Sequence, residues 1–330
     1  MAMANRISRQ REAIGASIRR HLLPGLVMIG FAVSPGAAQS SNLLPAETAG
    51  ASAELPAALP TAEDARLKDS LIKKIRDNPV SSELLAALGA LSFRTGDYYN
   101  AAVAYKRADA LKPLDDSGRF TMAMAFIRVG HPEWARAEIE RLAEGQPQNS
   151  LYHYWLGRLD FAERKYADAL AHLREALRID PEFVRAHDRV GLCFQGMGEW
   201  ESAIESHREA VRLNRTATPK SPWPPTNLGI LLYQLGRLDE AEPLLREALG
   251  YDETSSHAHY QLGVLLEKRD ELTEAITHLE RAAALDSSDA KPHYALTRLY
   301  RRLGEAEKAR AALERFGEIQ KLAEDDSGRP

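Results

Sequence analysis

Hydrophobic positions recur on two scales in residues 82–323. Over a dozen residues they fall at i, i+3, i+4 and i+7, the spacing of an apolar stripe along a helix. Over the whole stretch the same residue types return every 34 positions. Leu88-Gly89, Leu156-Gly157, Val190-Gly191, Leu228-Gly229 and Leu262-Gly263 lie 34 residues or a multiple of 34 apart, with one excess of four between Gly191 and Gly229. The excess is placed at residues 218–221, beside Pro222, Pro224 and Pro225. Twelve positions beyond each glycine slot stands an alanine, at Ala101, Ala135, Ala169, Ala203, Ala241, Ala275 and Ala309. Seven positions further come Ala108, Leu142, Ala176, Ala210, Ala248, Ala282 and Phe316, and a proline closes the first three units at Pro113, Pro147 and Pro181. Each unit therefore predicts two amphipathic helices, spanning 151–164 and 167–179 in the third.

Between the two helices of a unit, Gly96-Asp97, Gly198-Glu199, Gly236-Arg237 and Gly304-Glu305 supply residues that tolerate left-handed geometry at a helix end. The glycine and alanine slots let the paired helices approach closely, where larger side chains would hold them apart. The units fall at about 82–115, 116–149, 150–183, 184–217, 222–255, 256–289 and 290–323. A helix within residues 61–80 precedes them and is expected to cap the first.

The pattern resembles the tetratricopeptide repeat, W-x2-L-G-x2-Y, then A-x3-F, then P, over about 34 residues. The best copy is residues 150–183, with Leu156, Gly157, Ala169, Leu173, Ala176 and Pro181 in register. Ala123 and Thr297 replace the glycine in the second and seventh units, and the later units lack the closing proline. The resemblance implies an all-α fold, a right-handed α-solenoid of about seven helix-turn-helix repeats, with a concave groove lined by the first helix of each. It also implies that the groove binds a protein or peptide. The slots that line it in the family are filled here by Tyr154, Arg158 and Phe161; Arg185, Asp188 and Gln195; Thr226, Ile230 and Tyr233; His257, Tyr260 and Glu267; and Lys291, Tyr294, Arg298 and Arg301. Asn227 and Gln261 stand one position further along their helices, placed to hydrogen-bond a ligand backbone. The candidate binding set is thus Tyr154, Arg158, Phe161, Arg185, Asp188, Asn227, Tyr233, Tyr260, Gln261 and Arg298. Tyrosine offers large contact area at low entropic cost and arginine can grip a carboxylate with two bonds, which suits a peptide with acidic residues. The same side chains also suit packing against the next unit. The Lys/Asn set with which one subset of the family holds C-terminal carboxylates is missing: Ala86, Ala90, Phe120 and Met124 occupy the corresponding helices.

Composition narrows the chemistry. With 43 basic and 47 acidic residues there is no basic excess, so nucleic acid is not an expected partner. One cysteine, Cys193, excludes an internal disulfide and thiolate-rich metal clusters; among Leu192 and Phe194 it reads as a buried thiol. His153, His187, His259 and His293 share one repeat slot. Neighbouring units stand about 10 Å apart, too far for those imidazoles to share an ion, so no metal site or cofactor is expected. Nucleophile elbows and phosphate loops are absent from the sequence, and the expectation is a chain that is not an enzyme. The rival site for chemistry is Trp223 in its proline cluster, which also suits a cap on the helix that follows.

The N-terminus reads as an export signal over residues 1–38. Arg6, Arg9, Arg11, Arg19 and Arg20 precede an apolar stretch at 22–33, and Gly36 and Ala38 fit a small-residue cleavage site before Gln39. A periplasmic or secreted location follows from it; an uncleaved membrane anchor and an arginine-rich mitochondrial presequence share parts of the pattern. Residues 39–60, rich in Ala, Ser and Pro, read as a flexible linker, and 324–330 as a disordered tail. No apolar run reaches the about 20 residues of a membrane-spanning helix. The expectation is an exported, non-enzymatic scaffold for a protein or peptide, with self-association open. The alternatives are an assembly factor held at a membrane by an uncleaved N-terminus, or a component of an exported enzyme system.

Overall fold

The computed structural model describes residues 61–327, which form fifteen α-helices and no strand. The expected signal, the linker and the last three residues lie outside them. The chain divides into two compact units at Gly130. The first holds α1 (Ala62–Asp77), α2 (Ser82–Arg94), α3 (Tyr98–Leu111) and α4 (Asp116–Arg128). The second holds α5 (Pro132–Gly145), α6 (Ser150–Ala162), α7 (Tyr166–Ile179), α8 (Val184–Met197), α9 (Trp200–Asn214), α10 (Trp223–Gln234), α11 (Leu238–Tyr251), α12 (Ser256–Lys268), α13 (Leu272–Leu285), α14 (Ala290–Arg302) and α15 (Ala306–Ser327). The division falls inside the stretch 116–149 that the spacing reads as one repeat, the one with Ala123 in the glycine slot. The last helix continues to Ser327, four residues beyond the solenoid end expected at 323.

The hairpin follows from its small residues. Ala101, Ala135, Ala169, Ala203, Ala241 and Ala275 are fully buried, and Ala309 nearly so. A Cβ added to Gly157 would lie 2.7 Å from Leu173 Cγ and 3.1 Å from the Ala169 carbonyl, inside van der Waals contact. Only a glycine lets the second helix of the pair seat that close. The connection carries a residue at positive φ in every unit: Gly96, Gly130, Gly198, Gly236 and Gly304, with Arg164 (φ 59°) and Asp270 (φ 68°) in the other two. Arg164 ends α6 at Ala162, short of the expected 164, because the left-handed turn comes at that residue. First helices begin at side-chain caps, Ser81, Asp115, Asn149, Ser255 and Asp289, whose oxygens accept backbone N–H groups of the first turn.

In the first unit, α1 packs on α2 through Ile75 and Leu85, and the pairs Lys68–Asp97 (2.8 Å) and Arg94–Asp64 (2.5 Å) tie it to the hairpin. In the second, every helix meets the next in sequence, and the first helices α6, α8, α10, α12 and α14 also touch in series. Leu228, Leu231, Leu245, Leu262, Leu265, Leu279 and Leu299 run through its C-terminal part as one continuous core. This is the architecture of an α-solenoid, in which each hairpin buries its apolar face against its neighbours.

Candidate functional site

All ten candidate residues lie on the first helices of the second unit, where the structure sorts them into three groups. At the N-terminal end, on α6 and α8, arginines lie over aromatic rings. Tyr154 is 1% exposed, with its ring 4.9 Å from that of Phe183 and 6.0 Å from that of Trp155. The Arg158 guanidinium stands 4.3 Å from the centre of the Trp155 ring and 5.9 Å from that of Tyr154; Arg185 stands 5.2 Å from Tyr154 and 5.3 Å from Phe183. Tyr154 is therefore a floor beneath two guanidinium groups and not the exposed contact its slot led one to expect. The reason is Phe183, which takes the position of a helix cap and closes over the ring. Phe161, half-buried, meets the Tyr166 ring at a tilt of 60° with centroids 5.5 Å apart, and carries Arg189 over its face at 5.2 Å.

The middle group is a polar chain across α8, α9 and α10. His207, fully buried, donates from Nδ1 to Asp188 Oδ1 at 2.8 Å, and Asn227 donates from Nδ2 to Asp188 Oδ2 at 2.8 Å. Gln195 Nε2 lies 3.3 Å from His207 Nε2, which accepts once Nδ1 is the donor. Asp188 and Asn227, expected to face a ligand separately, are thus bonded to each other. His207, which links Asp188 to Gln195, was not among the candidates. Its signal was positional: sixteen residues after the glycine stand Tyr105, Leu173, Leu245 and Leu279, and only here a histidine. Gly191 makes room for it, since a Cβ there would lie 2.6 Å from the imidazole.

At the C-terminal end, Tyr233 and Arg298 line a cleft of about 360 Å³ with Val264, Glu267, Lys268, Asp270 and Arg302. Arg298 and Glu267 form a two-pronged ion pair, with Nε 2.6 Å from Oε1, and that bond holds the guanidinium pKa up. Tyr260 is half-buried alongside; burial raises its phenol, with Asp289 acting in the same direction. Tyr294, 54% exposed, lies 5.9 Å beneath the Arg298 guanidinium. Gln261 is half-buried on α12.

The other singled-out side chains fall elsewhere. His153, His187 and His259 donate from Nε2 to the carbonyl six residues before each, at 3.0, 2.8 and 3.1 Å from the oxygens of Pro147, Pro181 and Glu253. Cys193 is buried on α8. Trp223 opens α10, half-buried, with its ring stacked 5.7 Å from that of His257. Beside it, Asn214 exchanges two hydrogen bonds with the Ser221 backbone, 2.7 and 2.9 Å, and so fixes the loop that contains the four extra residues. Among the described residues no helix is long and apolar enough to cross a membrane.

Known proteins share this fold. A tetratricopeptide-repeat family model matches residues 120–183 and 226–290, and a second matches residues 290–315. Anaphase-promoting complex subunit 7 of Homo sapiens is 30% identical over 146 residues, 44% of this chain and 25% of that protein. The probable UDP-N-acetylglucosamine--peptide N-acetylglucosaminyltransferase SPINDLY of Arabidopsis thaliana is 36% identical over 91 residues, 28% of this chain and 10% of that protein. The chain thus spans a quarter or less of these curated relatives. Among solved structures, yeast Tom70 superposes with a TM-score of 0.61 at 16% identity, covering 78% of this chain and 55% of its own. Pseudomonas aeruginosa pilF superposes with 0.55 at 18% identity, covering 63% of this chain and 97% of its own. With the repeat slots, the hairpin geometry and these matches in agreement, the chain belongs to the tetratricopeptide-repeat family.

Proposed function

We propose that this protein is an exported scaffold without catalytic activity, which takes a protein or peptide segment along the first helices of residues 131–330. Tetratricopeptide repeats serve protein and peptide binding. The observation that carries the finer reading is the cleft at Tyr233 and Arg298, which lies on the first helices α10, α12 and α14, as the arginine-covered aromatic group lies on the first helices α6 and α8. The occupant is read as a segment with apolar and acidic side chains: Tyr233 offers a ring and Lys268 a cation, while Arg298 and Arg302 would exchange their pairs with Glu267 and Asp270 for the carboxylates of the segment. Two of the curated relatives bear the names of enzymes, SPINDLY and the probable biofilm formation methyltransferase WspC of Pseudomonas putida, but the matched stretches are 10% and 20% of their lengths. The present chain is read as the binding part of such systems. Export rests on the arginine-rich, apolar and small-residue sequence of positions 1–38.

The test is crosslinking in the compartment that the signal implies, with Tyr233→Ala/Arg298→Ala as the control variant. A partner retained by the wild type and lost, by at least about tenfold, in the variant supports groove recognition. The same partner held equally by both moves the interface off these helices. Intact mass measured on the same sample separates the two locations: a chain that starts at Gln39 is exported and cleaved, whereas a full-length chain in the membrane fraction favours the anchored assembly factor.

A further inference from the structure

Two units carry a histidine on each helix at the same spacing of nineteen positions: His153 with His172, and His259 with His278. In the first pair the second ring turns away, and His172 Nε2 lies 3.5 Å from Asp160 Oδ2. In the other pair the rings meet, with Nδ1 of His259 2.9 Å from Nδ1 of His278. Histidines in successive units stand too far apart to share an ion, whereas this pair spans α12 and α13 within one hairpin.

We propose that His259 and His278 bind a divalent transition-metal ion of the copper(II) or nickel(II) kind through their two Nδ1 atoms. Two observations support it. The Nε2 of His259 faces the Glu253 carbonyl at 3.1 Å, a group that can only accept, so Nε2 carries the proton and Nδ1 presents its lone pair toward His278. An imidazole oriented through its outer N–H by a backbone carbonyl is the usual arrangement for a metal-ligating histidine. The spacing then selects the ion. With metal–nitrogen bonds of about 2.0–2.1 Å, nitrogens this close subtend about 90° at the ion, the angle of adjacent ligands in square-planar or octahedral coordination. Tetrahedral zinc needs its nitrogens about 3.3 Å apart.

Without metal, His278 donates its Nδ1 proton to His259. On binding, that proton moves to Nε2, which faces Glu274 Oε1 at 3.7 Å. Asp252 and Glu274 favour a cation here, while Arg281 and Arg246 oppose it; Arg246 is itself paired with Glu242 and Glu274 at 2.8 Å each. Among the described residues no cluster of three or more His, Cys, Asp or Glu side chains suited to an ion is found, so water completes the coordination sphere and the ion is exchangeable. The His278 side chain retains 16% of its exposure, which leaves water a route in.

The experiment uses the untagged full-length chain and copper(II) sulfate. Electron paramagnetic resonance is expected to show coupling to two imidazole nitrogens, and saturating Cu²⁺ should raise the melting temperature, because the ion joins both helices of one hairpin. His259→Gln and His278→Gln should each weaken binding by at least about tenfold. His153→Gln/His172→Gln should leave it unchanged. Equal affinity in His278→Gln, or the loss of binding only in the His153→Gln/His172→Gln variant, overturns the assignment. Should a variant fail to unfold cooperatively without metal, the spectrum of the wild type decides: coupling to fewer than two imidazole nitrogens refutes the site. The outcome is independent of whether the first helices bind a peptide.

Discussion

A residue held at positive φ without being glycine loads its turn with strain. Arg164 and Asp270 occupy the position that glycine fills in the other five hairpins, and only Asp270 has a visible return, its 2.5 Å pair with Arg302. Left-handed geometry costs an ordinary side chain roughly 1–2 kcal/mol, and glycine gives part of that back through the greater freedom of its unfolded chain. Arg164→Gly should therefore stabilise the protein by about 0.5–1 kcal/mol, and Gly198→Ala should destabilise it by about 1 kcal/mol or more. Urea titration of the two variants beside the wild type measures both signs. Gly96, Gly198, Gly236 and Gly304 mark their turns in the sequence, whereas an arginine carries no local signal of a left-handed backbone, so the apolar spacing alone extends α6 two residues past its end at Ala162.

Among the elements, the contact of α8 with α9 and α10 stands apart because its filling is polar. Asp188 receives hydrogen bonds from His207 and Asn227 at a slot where four other hairpins, through Phe120, Tyr154, Tyr260 and Tyr294, carry an aromatic ring. Replacing His207 with leucine, the residue of that slot in four other units, removes one donor from a carboxylate that is only 8% exposed. A buried acceptor stripped of its partner costs about 1–3 kcal/mol, so His207→Leu alone should destabilise. Adding Asp188→Tyr should recover most of the loss, and the non-additivity of the two changes in denaturant titrations is the measurement. If each single change proved neutral, the polar chain would contribute nothing to the joint. This group was half legible. Asp188 and Asn227 were recognised from their repeat slots, but their pairing runs between different units, and one-dimensional spacing does not report which side chain of the next helix reaches back. The reverse error occurred at Tyr154, whose slot is open to solvent until Phe183 covers it. Tyr233 and Arg298, by contrast, line one cleft, with Val264, Glu267 and Lys268 of α12 between them.

For the whole molecule, acid should act in two stages. Burial, with Arg315 nearby, depresses the His293 pKa below its ordinary 6.5, so the unfolded chain binds the proton more tightly than the folded one. The stability tied to His293 is complete above that value and is lost as the pH falls through the folded pKa. Hydrogen bonds from Arg215 and from Arg246 hold Glu247 and Glu274 below their ordinary 4.5, so a second loss follows as those carboxylates take up protons. Urea midpoints in metal-free buffer should fall modestly from pH 7.5 to 5.5, less so in His293→Gln, and more steeply below pH 4.5. A midpoint that rose on acidification would contradict both assignments. The all-α solenoid itself was legible because its period repeats so many times that single departures, such as Ala123 and Thr297, did not obscure it. Helices that touch only their neighbours also give the chain a particular history of formation. The loops to be closed are a few tens of residues at most, so the entropy to be overcome at each step is small. A hairpin can pair as soon as its own two helices are available, and each one formed becomes the surface on which the next condenses; no part of the second unit has to wait for a segment from its far end.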